Sequence, residues 1–152
     1  MYMLKNNFII LLITFIFFQT SYATSEEKFL SLKKNKVNVR YGPSFDFPVK
    51  YIYKKINLPI KQIDKKENFR RIIDYKKNSG WIHISQLKKV NSVITVGDKV
   101  LFKKPTIFSK PIAIVKKGRL LIIQKCKDRW CKVETDTFKG WISKNDLWGA
   151  VK

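Results

Sequence analysis

The residues best suited to chemistry are few in this chain of 152 residues. There is one histidine, His83, and there are two cysteines, Cys126 and Cys131. A structural zinc site takes four ligands, so these three side chains cannot complete one by themselves. The cysteines are not spaced as Cys-x-x-Cys, the arrangement of redox-active pairs. A turn over the four residues between them would bring them face to face, which favours a structural disulfide over a redox-active pair.

The side chains around His83 do not form a catalytic arrangement. A histidine that acts as a general base works with a nucleophile and an orienting carboxylate. Ser85 lies two residues away, but no Asp or Glu adjoins the pair. Glu134 and Asp136 are two apart, which is typical of the solvated face of a strand. The sequence therefore predicts no enzyme, no metal site and no cofactor, with His83 as a structural or rim residue beside Trp81.

The elements that hold these residues occur twice. Residues 80–87 (GWIHISQL) correspond to residues 140–147 (GWISKNDL), and residues 69–72 (FRRI) correspond to residues 130–133 (WCKV). Within each copy, short segments of alternating apolar and polar residues are separated by turn signals. Such spacing predicts a small β-barrel or sandwich, with a single 3₁₀ turn after each Gly-Trp-Ile. We assign the two units to residues 29–89 and 93–150.

The N-terminal segment has the pattern of a secretory signal peptide. Lys5 precedes an apolar run over residues 8–18, and Ser21 and Ala23 stand at the small-residue positions of a cleavage site. The run has 11 residues, whereas a membrane-spanning helix needs about 20. We expect residues 1–23 to be a signal peptide cleaved after Ala23, the alternative being an uncleaved anchor. Export to the periplasm would place the two cysteines where disulfides form.

The chain is strongly basic, with 32 Lys and Arg against 11 Asp and Glu and a formal net charge of +21. A field of this size favours anionic partners such as acidic wall polymer, lipid headgroups or nucleic acid. Biased base composition is the alternative explanation, because Lys, Ile and Asn are used heavily and Ala and Gly rarely. The basic pairs are scattered over both units, which favours affinity for a polymer over a specific phosphate pocket. Export makes nucleic acid the least favoured partner.

Several motifs, in order, resemble one family. They are Val-Asn-Val-Arg-Tyr-Gly-Pro-Ser (37–44), Leu-Pro-Ile (58–60), the two Gly-Trp-Ile segments, Trp-Cys-Lys-Val (130–133) and Leu-Trp-Gly (147–149). The chain is similar to the two-repeat exported proteins of alphaproteobacteria that carry bacterial SH3 domains. The resemblance implies an all-β fold of two tandem SH3-like barrels after the signal peptide, and a role at the cell wall. The second unit departs from the pattern, since Lys104-Pro105 replaces Gly-Pro.

Aromatic residues flank the Gly-Pro turn of the first unit, in what would be the long first loop of an SH3-like barrel. We predict a ligand-binding groove formed by Tyr41, Phe45, Phe47, Tyr51 and Tyr53, because aromatic grooves beside this loop hold extended peptides in SH3-type folds. Phe47 and Tyr53 could instead point into the barrel. The other large aromatics are expected to lie mostly in the cores; these are Phe69, Trp81, Trp130, Trp141 and Trp148.

These observations lead to a functional hypothesis. The chain is expected to be a non-enzymatic exported binding module for peptidoglycan or its stem peptide. The alternative is an adaptor that recognises an extended segment of another envelope protein. A unit of about 60 residues is marginally stable alone, so the two barrels are expected to pack on each other.

Overall fold

The computed structural model describes residues 28–150, and the predicted signal peptide with its cleavage site at Ala23 lies outside them. The first sheet contains β1 (Lys28–Leu32), β2 (Val37–Arg40), β3 (Val49–Tyr53), β4 (Pro59–Lys66), β5 (Phe69–Ile73), β6 (Ser79–His83) and β7 (Leu87–Lys89), with a 3₁₀ turn at Ile84–Gln86. The second contains β8 (Ser92–Thr95), β9 (Lys99–Phe102), β10 (Pro111–Val115), β11 (Leu120–Lys127), β12 (Trp130–Glu134), β13 (Lys139–Ser143) and β14 (Leu147–Trp148). Within residues 28–150, no helix is long and apolar enough to cross a membrane.

The two sheets have the same topology. Their strand orders are β3-β2-β6-β5-β4-β1-β7 and β10-β9-β13-β12-β11-β8-β14, so each strand of the second is the seventh after its counterpart. In the first sheet, Leu87 near one edge and Val39 near the other pack into one buried cluster, because the sheet curls around it. The predicted all-β fold of two tandem small barrels is confirmed. The predicted 3₁₀ turn is found after the first Gly-Trp-Ile, whereas residues 144–146 form a bend and turn.

The cores are largely aliphatic. The expectation that the large aromatics lie mostly in them is wrong for Trp81, Trp130 and Trp141, whereas Trp148 packs half-buried against the first core. Side chains alternate between the two faces of a strand. On β6, Gly80 and Ile82 therefore face inward while Trp81 faces outward, and Trp141 is placed in the same way on β13. All four tryptophans are half-buried. The buried residues of the two cores are Leu32, Val37, Val39, Leu58, Ile60, Ile72, Ile82 and Leu87 in the first, and Val93, Leu101, Val115, Leu121, Cys131, Val133 and Ile142 in the second.

The two barrels pack on each other, as their small size led us to expect. Ile94 of β8 is 1% exposed and belongs to the core cluster of the first barrel, against which Leu120 and Trp148 also pack. The hydroxyl of Ser92 donates a hydrogen bond to the Asn57 carbonyl. The Ser31 hydroxyl lies 3.0 Å from the same Ser92 hydroxyl. These buried polar contacts join the barrels at a defined register, because a misplaced hydroxyl would be buried without a partner.

The predicted disulfide is present at the β11–β12 hairpin. Cys126 and Cys131 are directly opposite each other in the strand register, and their sulfurs are bonded. Asp128 in the connecting turn has a φ of 49°, in the left-handed region that Asp tolerates better than most residues.

We predict that reduction of this disulfide destabilises the second barrel modestly. Closing so short a loop is worth about 2 kcal/mol on the chain-entropy model. The measurement is urea unfolding of residues 24–152 with and without dithiothreitol. A Cys126→Ala/Cys131→Ala variant, which should not respond to the reductant, serves as the control. A loss above about 4 kcal/mol would contradict the chain-entropy account.

Candidate functional site

The outer face of the first barrel is formed by alternate residues of four neighbouring strands. Arg40 on β2 and Arg71 on β5 both lie opposite Trp81 on the intervening strand β6. On β5 and β6, Phe69 is opposite His83, two residues along from the pair of Arg71 and Trp81. Because these residues alternate with the core residues Val39, Ile72 and Ile82, their side chains project away from the core.

The loop between β2 and β3, residues 41–48, is held over this face by Arg40. The Nη1 atom of its guanidinium donates hydrogen bonds to the carbonyls of Phe45 (3.0 Å) and Phe47 (2.6 Å). The guanidinium also lies 5.4 Å from the centre of the Phe45 ring. The backbone N–H of Tyr41 donates to the Pro48 carbonyl and closes the loop. Arg40 therefore fastens the middle of the loop to the sheet.

Three aromatic rings meet where the loop touches the sheet. The Phe45 ring lies 5.2 Å from Phe69 and 5.1 Å from His83, measured between ring centres, and Phe69 and His83 are 5.1 Å apart. This packing buries Phe69 to 6% exposure although it is on the outer face. The Nδ1 atom of His83 lies 2.7 Å from the Ser85 hydroxyl. His83 therefore supports the loop and the following 3₁₀ turn, in agreement with the predicted structural role.

The five predicted groove residues fall into two groups. Tyr41, Phe45 and Phe47 lie together in the loop and are 62%, 61% and 44% exposed. The Phe47 ring covers Gly42, so the alternative that it points into the barrel is wrong. Tyr51 and Tyr53 lie on β3 and point away from the outer face, half-buried against the core of the first barrel. The structure thus brings three of the five together and places the other two inward, as the alternative for Tyr53 stated.

The two inward tyrosines form a hydrogen-bonded network with a buried carboxylate. The Tyr53 hydroxyl donates to Asp74 Oδ2 at 2.9 Å and lies 3.4 Å from the Tyr51 hydroxyl. Asp74 is 3% exposed and also accepts from the backbone N–H groups of Lys76 and Asn78. Burial raises the pKa of Tyr53 well above its ordinary value of 10.0, and its hydrogen bond to Tyr51 and the Asp74 charge act in the same direction.

We predict that this network makes the first barrel sensitive to alkali. Because the folded state keeps Tyr53 protonated, the unfolded chain alone releases that proton as the pH rises above about 10, and the free energy of unfolding falls. Below that pH the contribution is constant. Tyr53→Phe should flatten the loss of stability between neutral and alkaline pH, measured by urea unfolding against the parent chain. Equal slopes for both proteins would contradict this account.

A cationic pocket lies beside the loop on the same outer face. Its volume is about 310 Å³, and it is lined by Arg40, Tyr41, Lys50, Arg71, Ser79, Gly80 and Trp81. The Lys50 ammonium donates to the Ser79 carbonyl at 3.0 Å and lies 5.6 Å from the centre of the Tyr41 ring. Its described lining includes three cations and no carboxylate. Such a pocket suits a carboxylate or phosphate group, particularly because Arg can bind either through two parallel hydrogen bonds.

Four residues of this face were not predicted as site residues from the sequence: Arg40, Lys50, Phe69 and Arg71. The signal that could have found them is the alternation of each strand, which places them on the same face as Trp81 once the strand order is known. Among residues 28–150, no group of three or more His, Cys, Asp or Glu side chains is arranged to hold a metal ion.

Two small antiparallel barrels, the first with an ordered aromatic loop beside a pocket, define a tandem of SH3-type domains. The family model described as "Bacterial SH3 domain" matches residues 33–89 and again residues 96–149, and the chain therefore belongs to the bacterial SH3 domain family. Domains of this family are typically binding modules rather than enzymes, and they commonly bind the cell wall. They are typical of extracellular and envelope proteins.

The comparison with solved structures finds similar chains at low identity. NlpC2 from Trichomonas vaginalis is 15% identical, with a TM-score of 0.38 over 86% of this chain and 50% of that one. NlpC1 from the same organism is 13% identical, with a TM-score of 0.36 over 84% of this chain and 47% of that one. The chain thus spans about half the length of these structures. No curated protein matches it.

Proposed function

We propose that the protein is a non-enzymatic periplasmic module that binds peptidoglycan through the first barrel, with the stem peptide as the part recognised. The observation that carries this proposal is the juxtaposition of the exposed loop aromatics Tyr41 and Phe45 with the cationic pocket around Trp81. Export rests on the signal-peptide pattern of residues 1–23, and a disulfide is the state expected of paired cysteines in an oxidising compartment.

The two halves of the site suit the two chemical features of a stem peptide. An extended peptide offers apolar side chains and a backbone, which pack well against rigid aromatic rings. Stem peptides also carry free carboxylates, which the guanidinium of Arg71 and the ammonium of Lys50 can bind in the pocket. Arg40 serves both halves, because it lines the pocket and holds the loop carbonyls of Phe45 and Phe47.

The experiment that tests the proposal is co-sedimentation of residues 24–152 with purified peptidoglycan sacculi over a series of salt concentrations. Both cores lie within residues 28–150, so this fragment keeps the whole described fold. Charge attraction to exposed groups weakens with salt, whereas aromatic packing persists. We expect part of the binding to survive high salt and to be lost in Tyr41→Ala/Phe45→Ala.

The repeat supplies a matched control for this experiment. Lys103→Ala/Ile107→Ala alters the equivalent loop positions of the second barrel and should leave salt-resistant binding to sacculi unchanged. If salt abolishes binding equally in the parent and in both variants, attraction is purely electrostatic and the proposed site is wrong.

We further predict that the pocket recognises free carboxylates. Lys50→Ala/Arg71→Ala should weaken binding of a soluble stem peptide about tenfold, as expected for the loss of charge-assisted hydrogen bonds. The same variant should hardly change the weaker binding of an amidated peptide that has no free carboxylate. The measurement is isothermal titration calorimetry with both peptides. An equal loss of affinity for the two peptides would show that the cations do not bind carboxylates.

A second candidate function is that of an adaptor for an extended segment of another envelope protein. It is favoured by the position of β3 at the edge of the first sheet, where it pairs only with β2. An edge strand has backbone groups free to accept an added strand. An adaptor would fail to sediment with sacculi and would retain one envelope protein in a pull-down, and this retention would be lost on Val49→Pro.

A further inference from the structure

The outer face of the second barrel has different chemistry from that of the first. The strand registers are equivalent, with Asn38 opposite Ile52 in one and Val100 opposite Ile114 in the other. Four positions that are polar or charged in the first barrel are apolar in the second: Val100 replaces Asn38, Phe102 replaces Arg40, Phe108 replaces Asp46 and Ile112 replaces Lys50. The site proposed above for the first barrel is therefore replaced by an apolar surface.

This surface, the apolar face of the second barrel, is largely open to solvent. Phe108 at the tip of the loop between β9 and β10 is 92% exposed, and its neighbour Ile107 is 67% exposed. Ile114 on the edge strand β10 is 66% exposed. Leaving a phenyl ring and two branched side chains in water costs free energy that contact with another apolar phase would recover.

The exposed loop of the apolar face carries positive charge. Residues 99–127 contain nine Lys and Arg and no Asp or Glu. Three of the nine are paired with carboxylates from outside this segment: Lys99 with Asp146, Lys116 with Asp98 and Arg119 with Asp136. Lys103, Lys104 and Lys110 lie within the exposed loop or at its end, and in the part of the chain that the structure describes no carboxylate pairs with them. Glu134, on the same side of the sheet, lies 3.5 Å from Lys139 and is thereby partly neutralised.

We propose that the apolar face of the second barrel docks on a bilayer that contains anionic phospholipid. Phe108 and Ile107 enter the boundary between headgroups and acyl chains, and the three loop lysines lie at the level of the lipid phosphates. Insertion of the apolar side chains and attraction of the lysines to the headgroups are both needed, because either contribution alone binds a membrane weakly. The inference does not depend on wall binding, which involves the other barrel.

Charge decides between a bilayer and the other occupants of such a face. In a symmetric dimer, two copies would bring their loop lysines together, and like charges at short distance repel. A protein partner would need an acidic rim around an apolar pocket for the Phe108 ring. In an anionic bilayer, negatively charged headgroups cover an apolar interior. This order matches the loop, in which lysines flank the apolar tip formed by Ile107 and Phe108.

The test is co-sedimentation of residues 24–152 with vesicles of phosphatidylglycerol and phosphatidylethanolamine, compared with vesicles of phosphatidylcholine. The fragment is used because residues 8–18 would enter any bilayer by themselves. At physiological ionic strength we expect the partition coefficient to be at least about tenfold larger with the anionic vesicles. Ile107→Ser/Phe108→Ser, which changes no charge, should lower it about tenfold.

Phe45→Ser in the first barrel changes the position equivalent to Ile107 and serves as the matched control, with partitioning expected to be unchanged. Thermal unfolding checks that all variants fold. Equal binding of parent and Ile107→Ser/Phe108→Ser would overturn the proposal in favour of charge alone, as would full displacement by inorganic phosphate. Absence of vesicle binding would also overturn it, and a dimer in sedimentation equilibrium that this variant abolishes would identify a second copy as the occupant.

Discussion

Gly140→Ala is expected to destabilise the second barrel by about 3 kcal/mol, at the upper end of the usual cost of overpacking. A Cβ atom at this position would lie 2.8 Å from Leu101 Cγ, 2.8 Å from the Phe102 carbonyl oxygen and 2.9 Å from Ile112 Cδ1. The oxygen belongs to the paired strand β9 and cannot move without breaking the sheet. Glycine is required at position 140 because there is no space for a Cβ atom, and not because of its backbone conformation.

The measurement is urea unfolding of residues 24–152, with two further variants for comparison. Gly80→Ala, at the same position of the first barrel, should also be destabilising, because its Cβ would overlap Val39 Cγ1 and lie 3.0 Å from the Arg40 carbonyl oxygen. Gly97→Ala meets no atom within 4 Å and should be close to neutral. If Gly140→Ala and Gly97→Ala behaved alike, steric exclusion would not explain the glycine of Gly-Trp-Ile.

Trp148→Ala is expected to cost about 3 kcal/mol and to uncouple the barrels. Its side chain belongs to the second barrel but packs against the core cluster of the first. The ring also meets Phe29 edge-on at 5.3 Å between ring centres, and the Lys77 ammonium lies 5.7 Å from the ring centre. Removing the Trp148 side chain leaves a cavity between the two barrels. This contact is what lets two small domains of marginal stability stabilise each other.

Differential scanning calorimetry should show this uncoupling directly. The parent fragment is expected to unfold in one transition, and Trp148→Ala in two that begin at a lower temperature. Trp148→Phe keeps an aromatic ring at the contact and should retain the single transition at a cost of about 1 kcal/mol. Two transitions in the parent, or one unchanged transition in Trp148→Ala, would mean that the tryptophan does not couple the barrels.

The contacts behind these two predictions give a structural reason for two motifs that carried the family resemblance, Gly-Trp-Ile and Leu-Trp-Gly. The glycine of Gly-Trp-Ile is required because β6 and β13 leave no space there for a Cβ atom beside β2 and β9. The isoleucine is a core residue in both barrels. The tryptophan of Leu-Trp-Gly lies at the contact between barrels. Its glycine follows with a φ of 141° and would place a Cβ 2.7 Å from the Ser92 carbonyl oxygen. These roles belong to the fold, and Gly80 in addition lines the cationic pocket.

The fold could be predicted from local signals. Alternating residues such as Val37 and Val39 indicate strands, turn residues separate them, and the repeat shows that one arrangement occurs twice. The disulfide was predictable for the same reason, because only five positions separate Cys126 from Cys131 and a hairpin turn brings them together. Three tryptophans, Trp81, Trp130 and Trp141, were assigned to the core wrongly, since side-chain size was considered without the face of the strand on which each one lies.

The candidate site depended on contacts that no local pattern contains. Tyr41 and Phe45 were recognisable as loop aromatics, but Tyr51 and Tyr53 could be placed inward only when β3 was paired with β2. Lys50 reaches Arg40 through the β2–β3 hairpin, whereas Arg71 is remote in the sequence and joins them because β6 lies between β2 and β5. The sequence by itself therefore determined the strands, the repeat and the cysteine pair, which follow from interactions between near neighbours along the chain. Only the tertiary structure decided which side chains share a face, because strand order and the curl of each sheet set the distances between residues that are remote in sequence.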